Sequence, residues 1–322
     1  MKFFLFLFSL LPLASFVMAQ TNFSSKTIKS NHLSAKVYLP DAENGYYRSC
    51  RFDWAGVIGS LQYEGHEYFG NWLPEHDPLN PESISGPVEA FYPIDYNEGD
   101  TFLIIGIGVL RKPDNKPYHH MRRYEIINSG KWEVNSTEDK ITMIHTLSYG
   151  DYAYQYTKTL RLSTDEPKLV LEHQLKNTGK KSLETTVYNH NFFIIDGETT
   201  GPNILTTFGY EPEAQDGRGF GEVATIQGNQ LIYQAPLQKG KHVFTPDLQG
   251  YSSSVEDYDI RIENTKSGAG VHITADRPLL KMVYWASHTT ACPEPYIQVN
   301  VASREDFTWD IAYEFYLLWM ND

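Results

Sequence analysis

Positive charge is scarce in this 322-residue sequence. Lysine and arginine total 27 against 40 aspartates and glutamates, which gives a formal net charge of −13. Nucleic acids and anionic membrane surfaces bind to basic protein surfaces. The composition therefore argues against both classes of partner.

Cysteine is scarcer still, because the chain has only Cys50 and Cys292. No CxxC or zinc-type spacing occurs, so no structural zinc or other metal site is expected. In an oxidising compartment the two thiols could form a disulfide, or they could remain separate and buried. The sequence does not supply the Cα separation that a disulfide requires, so both alternatives stay open.

Long hydrophobic runs are absent except for one at the amino terminus, residues 3–16, which follows Met1 and Lys2. The run ends before Val17 and Ala19, which occupy the −3 and −1 positions of a cleavage site after Ala19. This pattern predicts a secretory signal peptide, since the run is shorter than the roughly 20 apolar residues of a membrane span. We expect residues 20–322 to form a single domain that is periplasmic or secreted and is not inserted in the membrane.

Sustained helical periodicity is also missing, and short runs rich in Val, Ile, Thr, Tyr and Phe take its place. The chain is therefore predicted to be all-β, a large antiparallel β-sandwich. The proline-rich stretch 74–93 and the glycine-rich stretch 217–221 are predicted to be loops. The candidate strands are 57–63, 102–110, 141–147, 152–162, 168–175, 184–195, 230–234, 270–275, 279–285, 296–301 and 307–317.

Two of these segments contain residues suited to acid–base chemistry. Alternation along one strand puts Tyr188, His190 and Phe192 on the same face, an arrangement that by itself is more typical of a histidine in a protein core. Glu294 lies between two prolines, and proline removes a backbone donor. We therefore expect a rigid, bulged entry to strand 296–301, carrying either a precisely oriented general base or a solvated surface carboxylate.

Both segments resemble motifs of the aldose 1-epimerases. Residues 189–193 (Asn-His-Asn-Phe-Phe) resemble that family's Asn-His-x-(Tyr/Phe)-Phe motif, and residues 292–295 (Cys-Pro-Glu-Pro) are similar to its Cys-x-Glu-(Pro/Thr) motif. The order is the family's, and His190 and Glu294 are 104 residues apart. The amino-terminal half is similar over residues 51–61, and residues 117–123 stand where the family has a substrate-binding histidine. The usual His-Gly pair is absent there, and His120 is preferred over His119.

The resemblance implies a galactose mutarotase-like supersandwich that interconverts the anomers of a free sugar without a cofactor or metal. Glu294 would be the base that deprotonates the anomeric hydroxyl, and His190 the acid that protonates the ring oxygen. A nearby carboxylate is expected to raise the pKa of His190 and keep it protonated. The candidate substrate-binding residues are Arg51, Glu89, His120 and Trp285, with Trp285 as a stacking surface.

Two other functions fit the same residues. The chain could bind mono- or oligosaccharide without catalysis, as a component of a glycan-utilisation system. It could also be a polysaccharide lyase or glycosidase, which would draw on Asp53, Glu89 and Glu294 or on Arg51 and Arg122. A sugar phosphate is disfavoured by the predicted export and by the single basic cluster in the sequence, Arg122-Arg123.

Overall fold

A computed structural model describes residues 23–318 of the chain. The predicted signal peptide lies outside this range. Within the range, regular structure is almost entirely β-strand, with two single-turn 3-10 helices at Ile195–Gly197 and Val255–Asp257. No helix in these residues has the length and apolar character needed to cross a membrane.

The first half of the chain contains thirteen strands within the described range. They are β1 (Ser25–Lys29), β2 (Leu33–Tyr38), β3 (Ile58–Tyr63), β4 (His66–Glu67), β5 (Gly86–Phe91), β6 (Thr101–Ile104), β7 (Gly108–Arg111), β8 (Glu125–Asn128), β9 (Lys131–Ser136), β10 (Lys140–Tyr149), β11 (Tyr152–Leu162), β12 (Lys168–Asn177) and β13 (Leu183–Phe192).

The second half contributes eleven more strands up to residue 318. They are β14 (Ile204–Phe208), β15 (Glu213–Gln215), β16 (Ala224–Gln227), β17 (Gln230–Tyr233), β18 (Val243–Thr245), β19 (Asp247–Gln249), β20 (Asp259–Asn264), β21 (Ala269–Ala275), β22 (Lys281–Ala286), β23 (Ala291–Val301) and β24 (Asp306–Leu317).

Two sheets form the sandwich. A ten-stranded sheet has the order β16-β17-β14-β20-β21-β24-β12-β11-β10-β9, and a five-stranded sheet has the order β18-β22-β23-β13-β5. Smaller sheets are built from β1–β4, from β6–β8 and from β15 with β19. The long strands pair antiparallel with their neighbours, as in β11–β12 and β13–β23. This architecture confirms the all-β antiparallel sandwich predicted from the sequence.

The core lies between the two large sheets. The long strands β11, β12 and β24 alternate buried and more exposed residues, as expected for strands that bury one face. Tyr313 on β24 donates a hydrogen bond across the interface to the side chain of Asn191 on β13, at 2.9 Å. One face of the five-stranded sheet is therefore interior, and the opposite face is available for a site.

The segment predicted as one strand over 102–110 is two strands, β6 and β7. Gly106 reverses the chain between them with a φ of 77°, and the two strands pair in register from Thr101–Arg111 to Ile104–Gly108. The turn was missed because isoleucines on both sides of Gly106 continue the apolar run.

The predicted loop 74–93 contains strand β5, so this prediction was wrong over Gly86–Phe91. β5 lies at the edge of the five-stranded sheet and pairs with β13 alone in that sheet. An edge strand tolerates Pro87, whose missing N–H costs no ladder hydrogen bond when it faces away from the partner.

The predicted bulged entry to strand 296–301 was also wrong, because β23 begins at Ala291 and runs through both prolines. β22 pairs with β23 across Pro293 and Pro295 without a shift in register. The β13–β23 ladder ends at Tyr188–Tyr296, before the prolines are reached. The strand therefore continues because its hydrogen bonds there are made with β22.

Candidate active site in the five-stranded sheet

The outer face of the five-stranded sheet forms the base of a cleft of about 370 Å³. Alternation directs Tyr188 and His190 of β13, Glu294 and Tyr296 of β23, and Trp285 of β22 to this face. Segments before β5, around residue 120 and around residue 218 form its walls. The lining residues are Arg51, Glu82, His120, Met121, Tyr188, His190, Arg218, Phe244, Pro246, Lys281, Val283, Trp285, Glu294 and Tyr296.

His190 and Glu294 face each other at the point where β13 and β23 part. Each lies two residues beyond the last ladder pair, Tyr188–Tyr296. His190 Nε2 is 3.3 Å from Glu294 Oε1, and the two residues are only 2% and 5% exposed. The side chain of Asn191 donates a 2.9 Å hydrogen bond to the carbonyl of Pro293, which holds the two strands together beyond the ladder.

Aromatic rings fix the orientation of the His190 imidazole. It stacks on Phe192 with a centroid separation of 3.8 Å and meets Phe52 edge-on at 5.6 Å. Its Nδ1 is buried and has no hydrogen-bond partner among the residues that the structure describes. Orientation is therefore set by packing, and Nε2 is the ring nitrogen directed at Glu294.

The two members of the pair have pKa values shifted in opposite directions. Burial raises the pKa of Glu294 to about 7, although the positive charges of Arg51 and Lys281 oppose the shift. Burial, Arg51 and His120 lower the pKa of His190 well below its usual value. The expectation that the carboxylate would keep His190 protonated was wrong, because burial and the positive charge of Arg51 outweigh it.

Arg51 is a buried cation that links the cleft to its wall. Its Nε donates a 3.1 Å hydrogen bond to the Tyr188 hydroxyl, and its Nη1 is ion-paired with Glu82. The guanidinium also lies over the ring of Phe52, 4.5 Å from the centroid. The positive charge of Arg51 is thus compensated by Glu82, and its side chain is held rigidly beside Tyr188.

Two more of the predicted substrate-binding residues, His120 and Trp285, also line the cleft. Burial, Arg51 and His119 lower the pKa of His120 to about 4, so it is neutral at physiological pH. His119 stacks on His120 at 5.0 Å but is not among the lining residues. Trp285 meets Trp72 edge-on at 5.2 Å and keeps its indole on the cleft face.

Glu89 is not in the cleft, and its prediction as a substrate-binding residue is corrected. It pairs in the β5–β13 ladder with Asn189, the residue next to His190. Adjacent residues of a strand point to opposite faces, so Glu89 points into the sandwich interior. There it is ion-paired with Lys158 and lies 3.1 Å from His173 Nε2. A carboxylate that is 1% exposed and surrounded by these partners does not reach the cleft.

Several lining residues were missed from the sequence. Alternation from Trp285 along β22 would have found Lys281 and Val283, since all three share one face. Arg218, by contrast, lies in the glycine-rich loop and reaches the cleft only because its backbone pairs with that of Phe244. No local pattern identifies such a residue.

The basic cluster seen in the sequence does not form an anion site. Arg122 makes two hydrogen bonds to Asp114, at 3.1 and 2.9 Å, and Arg123 is ion-paired with Asp77 at 3.1 Å.

The two cysteines are separate buried thiols rather than a disulfide. The sulfur of Cys50 lies 3.2 Å from the Arg122 carbonyl.

Comparison with known proteins finds similarity in three dimensions only. No protein-family model matches the sequence, and no curated protein matches it. A galactose mutarotase-like protein from Clostridium acetobutylicum superposes with a TM-score of 0.56 at 14% identity, covering 91% of this chain and 95% of that one. An aldose epimerase homologue from C. elegans gives 0.56 at 12% identity, covering 92% and 100%.

A galactose mutarotase-like protein from Lactobacillus casei gives a TM-score of 0.55 at 12% identity, with 91% of this chain and 100% of that chain covered. The superpositions span nearly the whole of each chain, so the likeness concerns the complete architecture. The chain therefore has the galactose mutarotase-like fold, as the resemblance of its two motifs predicts.

Proposed function

We propose that the cleft binds a sugar and that His190 and Glu294 interconvert its anomers, as an aldose 1-epimerase does. The observation that carries the proposal is the buried pair itself, with Nε2 and Oε1 3.3 Å apart and facing a cavity of about 370 Å³. A cavity of this size fits one or two sugar rings. Trp285 offers an aromatic face, and Arg51 and His120 offer hydrogen-bond donors.

Glu294 removes the proton from the anomeric hydroxyl while His190 protonates the ring oxygen, and the ring opens to the aldehyde. Rotation about the bond to the anomeric carbon and reclosure by the reverse transfers give the other anomer. The shifted pKa values mean that the pair holds one proton below about pH 7. The reactive form, with the proton on His190, is one of the two tautomers of that singly protonated pair.

Polarimetry or exchange NMR on freshly dissolved glucose, galactose and other aldoses tests the proposal. His190→Ala and Glu294→Gln should each reduce the catalysed rate by about 10²–10⁴-fold, the usual contribution of general acid–base groups. His272→Ala is a matched control, because His272 also pairs with a carboxylate, Asp259 at 3.0 Å, but belongs to the ten-stranded sheet. Wild-type rates in the two cleft variants would refute the assignment.

A second candidate function is carbohydrate binding without catalysis of anomer interconversion. The lowered pKa of His190 favours it, because a neutral imidazole is a weak acid. Calorimetric binding of sugars by a protein that leaves mutarotation at the uncatalysed rate would identify this function.

We also propose that residues 1–19 direct export to the periplasm or the medium. The support is the apolar run of residues 3–16 followed by Val17 and Ala19. Mass spectrometry of the protein from its native host should give a mature chain that begins at Gln20. Recovery of the full-length chain would contradict the proposal.

A further inference from the structure

Two cations in the cleft lack acidic partners. Lys281 and Arg218 both line it, and neither makes an ion pair with any residue that the structure describes. Lys281 Nζ lies 5.4 Å from the ring centroid of Tyr296, and the Arg218 guanidinium lies 5.1 Å from that of Phe244. By contrast, the cluster Arg122-Arg123 outside the cleft is neutralised by Asp114 and Asp77.

The remaining charges of the cleft do not neutralise these two cations. Glu82 is already paired with Arg51. Glu294 is buried against His190, and its pKa of about 7 leaves it only partly ionised at neutral pH. The cleft is therefore positive, in a chain whose formal net charge is −13. A local charge of opposite sign to the whole protein attracts an anion to that place and to few others.

The position of Lys281 relates this charge to the reacting pair. Lys281 is paired with Tyr296 on β23, and its neighbour on the same face, Val283, is paired with Glu294. Side chains at adjacent positions of one sheet face lie about 5–8 Å apart. That distance is comparable to the span of a single pyranose ring, so an anion at Lys281 can belong to the same ring whose anomeric carbon is at Glu294.

Arg218 lies at the opposite end of the cleft. Its backbone pairs with Phe244, and Phe244 pairs with Trp285, four residues along β22 from Lys281. At about 3.3 Å per residue the two positions are roughly 13 Å apart along the strand. Arg218 is also exposed, whereas Lys281 is half-buried. Lys281 is therefore expected to contribute more to holding an anion on the reacting ring.

We propose that the natural ligand is an acidic sugar, whose carboxylate or sulfate group is held by Lys281 with a smaller contribution from Arg218. This inference rests on the proposed sugar-binding function and specifies its substrate class. Charge-assisted hydrogen bonds to a carboxylate or sulfate are stronger than neutral ones. Replacing the cation should therefore weaken binding of the acidic ligand far more than binding of its neutral counterpart.

The test is calorimetric or NMR measurement of Kd for matched pairs of sugars: glucose with glucuronate, galactose with galacturonate, and glucose with glucose 6-sulfate. The wild-type protein should bind the acidic member of at least one pair about tenfold more tightly. Preference confined to the uronates identifies a carboxylate ligand, and preference confined to the sulfate identifies a sulfate ester.

Lys281→Gln should bring the neutral-to-acidic Kd ratio close to one, Arg218→Gln should reduce it by less than about twofold, and Lys281→Arg should retain it. Lys131→Gln is the matched control, since it removes the same charge from the exposed edge strand β9 and should leave the ratio unchanged. Equal affinity for neutral and acidic sugars in the wild type overturns the inference but leaves the proposed function standing. Loss of preference in Lys131→Gln, or its persistence in Lys281→Gln, overturns the assignment to Lys281. Absence of binding to every sugar refutes the proposed function itself.

Discussion

The two faces of the five-stranded sheet each bury a glutamate, and the two carboxylates differ sharply. Glu89 on the inner face is 1% exposed and Glu294 on the cleft face is 5% exposed. Burial alone would raise both pKa values, but Lys158 and His173 reverse this for Glu89 and lower its pKa to about 2. The pKa of Glu294 rises to about 7. Two carboxylates that are buried to a similar extent therefore have pKa values shifted in opposite directions, because the charges in contact with them differ.

This difference separates a face whose charges are satisfied within the fold from a face whose charges are not. On the inner face Lys158 contacts Glu89, lies 3.8 Å from Asp53 and donates to the Ala55 carbonyl at 3.0 Å, so its donors are used within the fold. On the cleft face the Lys281 ammonium is left without such a partner in the described part of the chain. Groups with unused capacity for hydrogen bonds or charge are those available to a ligand.

The largest effect is expected from breaking the inner-face network. Lys158→Met leaves Glu89 and Asp53 buried without their cation, and removal of one partner of a buried pair costs about 3–5 kcal/mol of unfolding free energy. Arg111→Met breaks an exposed pair with Glu125 and should cost less than about 1 kcal/mol. Urea denaturation of both variants measures the contrast. Equal small losses would show that the inner network does not stabilise the fold.

A smaller effect of opposite sign is expected on the cleft face. The folded-state pKa of Glu294 is raised, so ionising this buried carboxylate destabilises the fold as pH rises from about 4.5 through about 7. Glu294→Gln removes that cost and should stabilise the protein by about 3 kcal/mol at pH 8, and by little at pH 4.5. Thermal denaturation at the two pH values checks this. A destabilised variant at pH 8 would contradict the raised pKa.

The smallest effect is expected in the pH dependence of the proposed reaction. Above about pH 7 the His190–Glu294 pair loses its single proton, so kcat/KM for anomer exchange should fall about tenfold per pH unit. A rate that increases from pH 7 to pH 9 would show that the proton is not required. Glu89→Gln should leave unchanged the pH at which kcat/KM begins to fall, because Glu89 faces the interior.

The fold and the central pair could be predicted from the sequence, but the surroundings of that pair could not. Period-2 alternation identified β11 at its observed bounds and placed Tyr188 on the face of His190. Alternation did not reveal β5, because its six residues are all buried and Gly86 and Pro87 are uncommon in strands. With this segment predicted as a loop, no pattern indicated the direction of Glu89, which pairing with Asn189 turns into the sandwich and away from the predicted substrate-binding position.

By itself the sequence determined the class of the fold and directed attention to His190 and Glu294, because alternation and short motifs are properties of neighbouring residues. The tertiary structure alone decided the charges around them. Arg51 and Arg218 come from segments distant in sequence, and the electrostatic field at a buried carboxylate depends on separations of a few ångströms. Burial raises the pKa of Glu294 to about 7 because Arg51 and Lys281 only partly oppose it, whereas contact with Lys158 and His173 lowers the pKa of Glu89 to about 2.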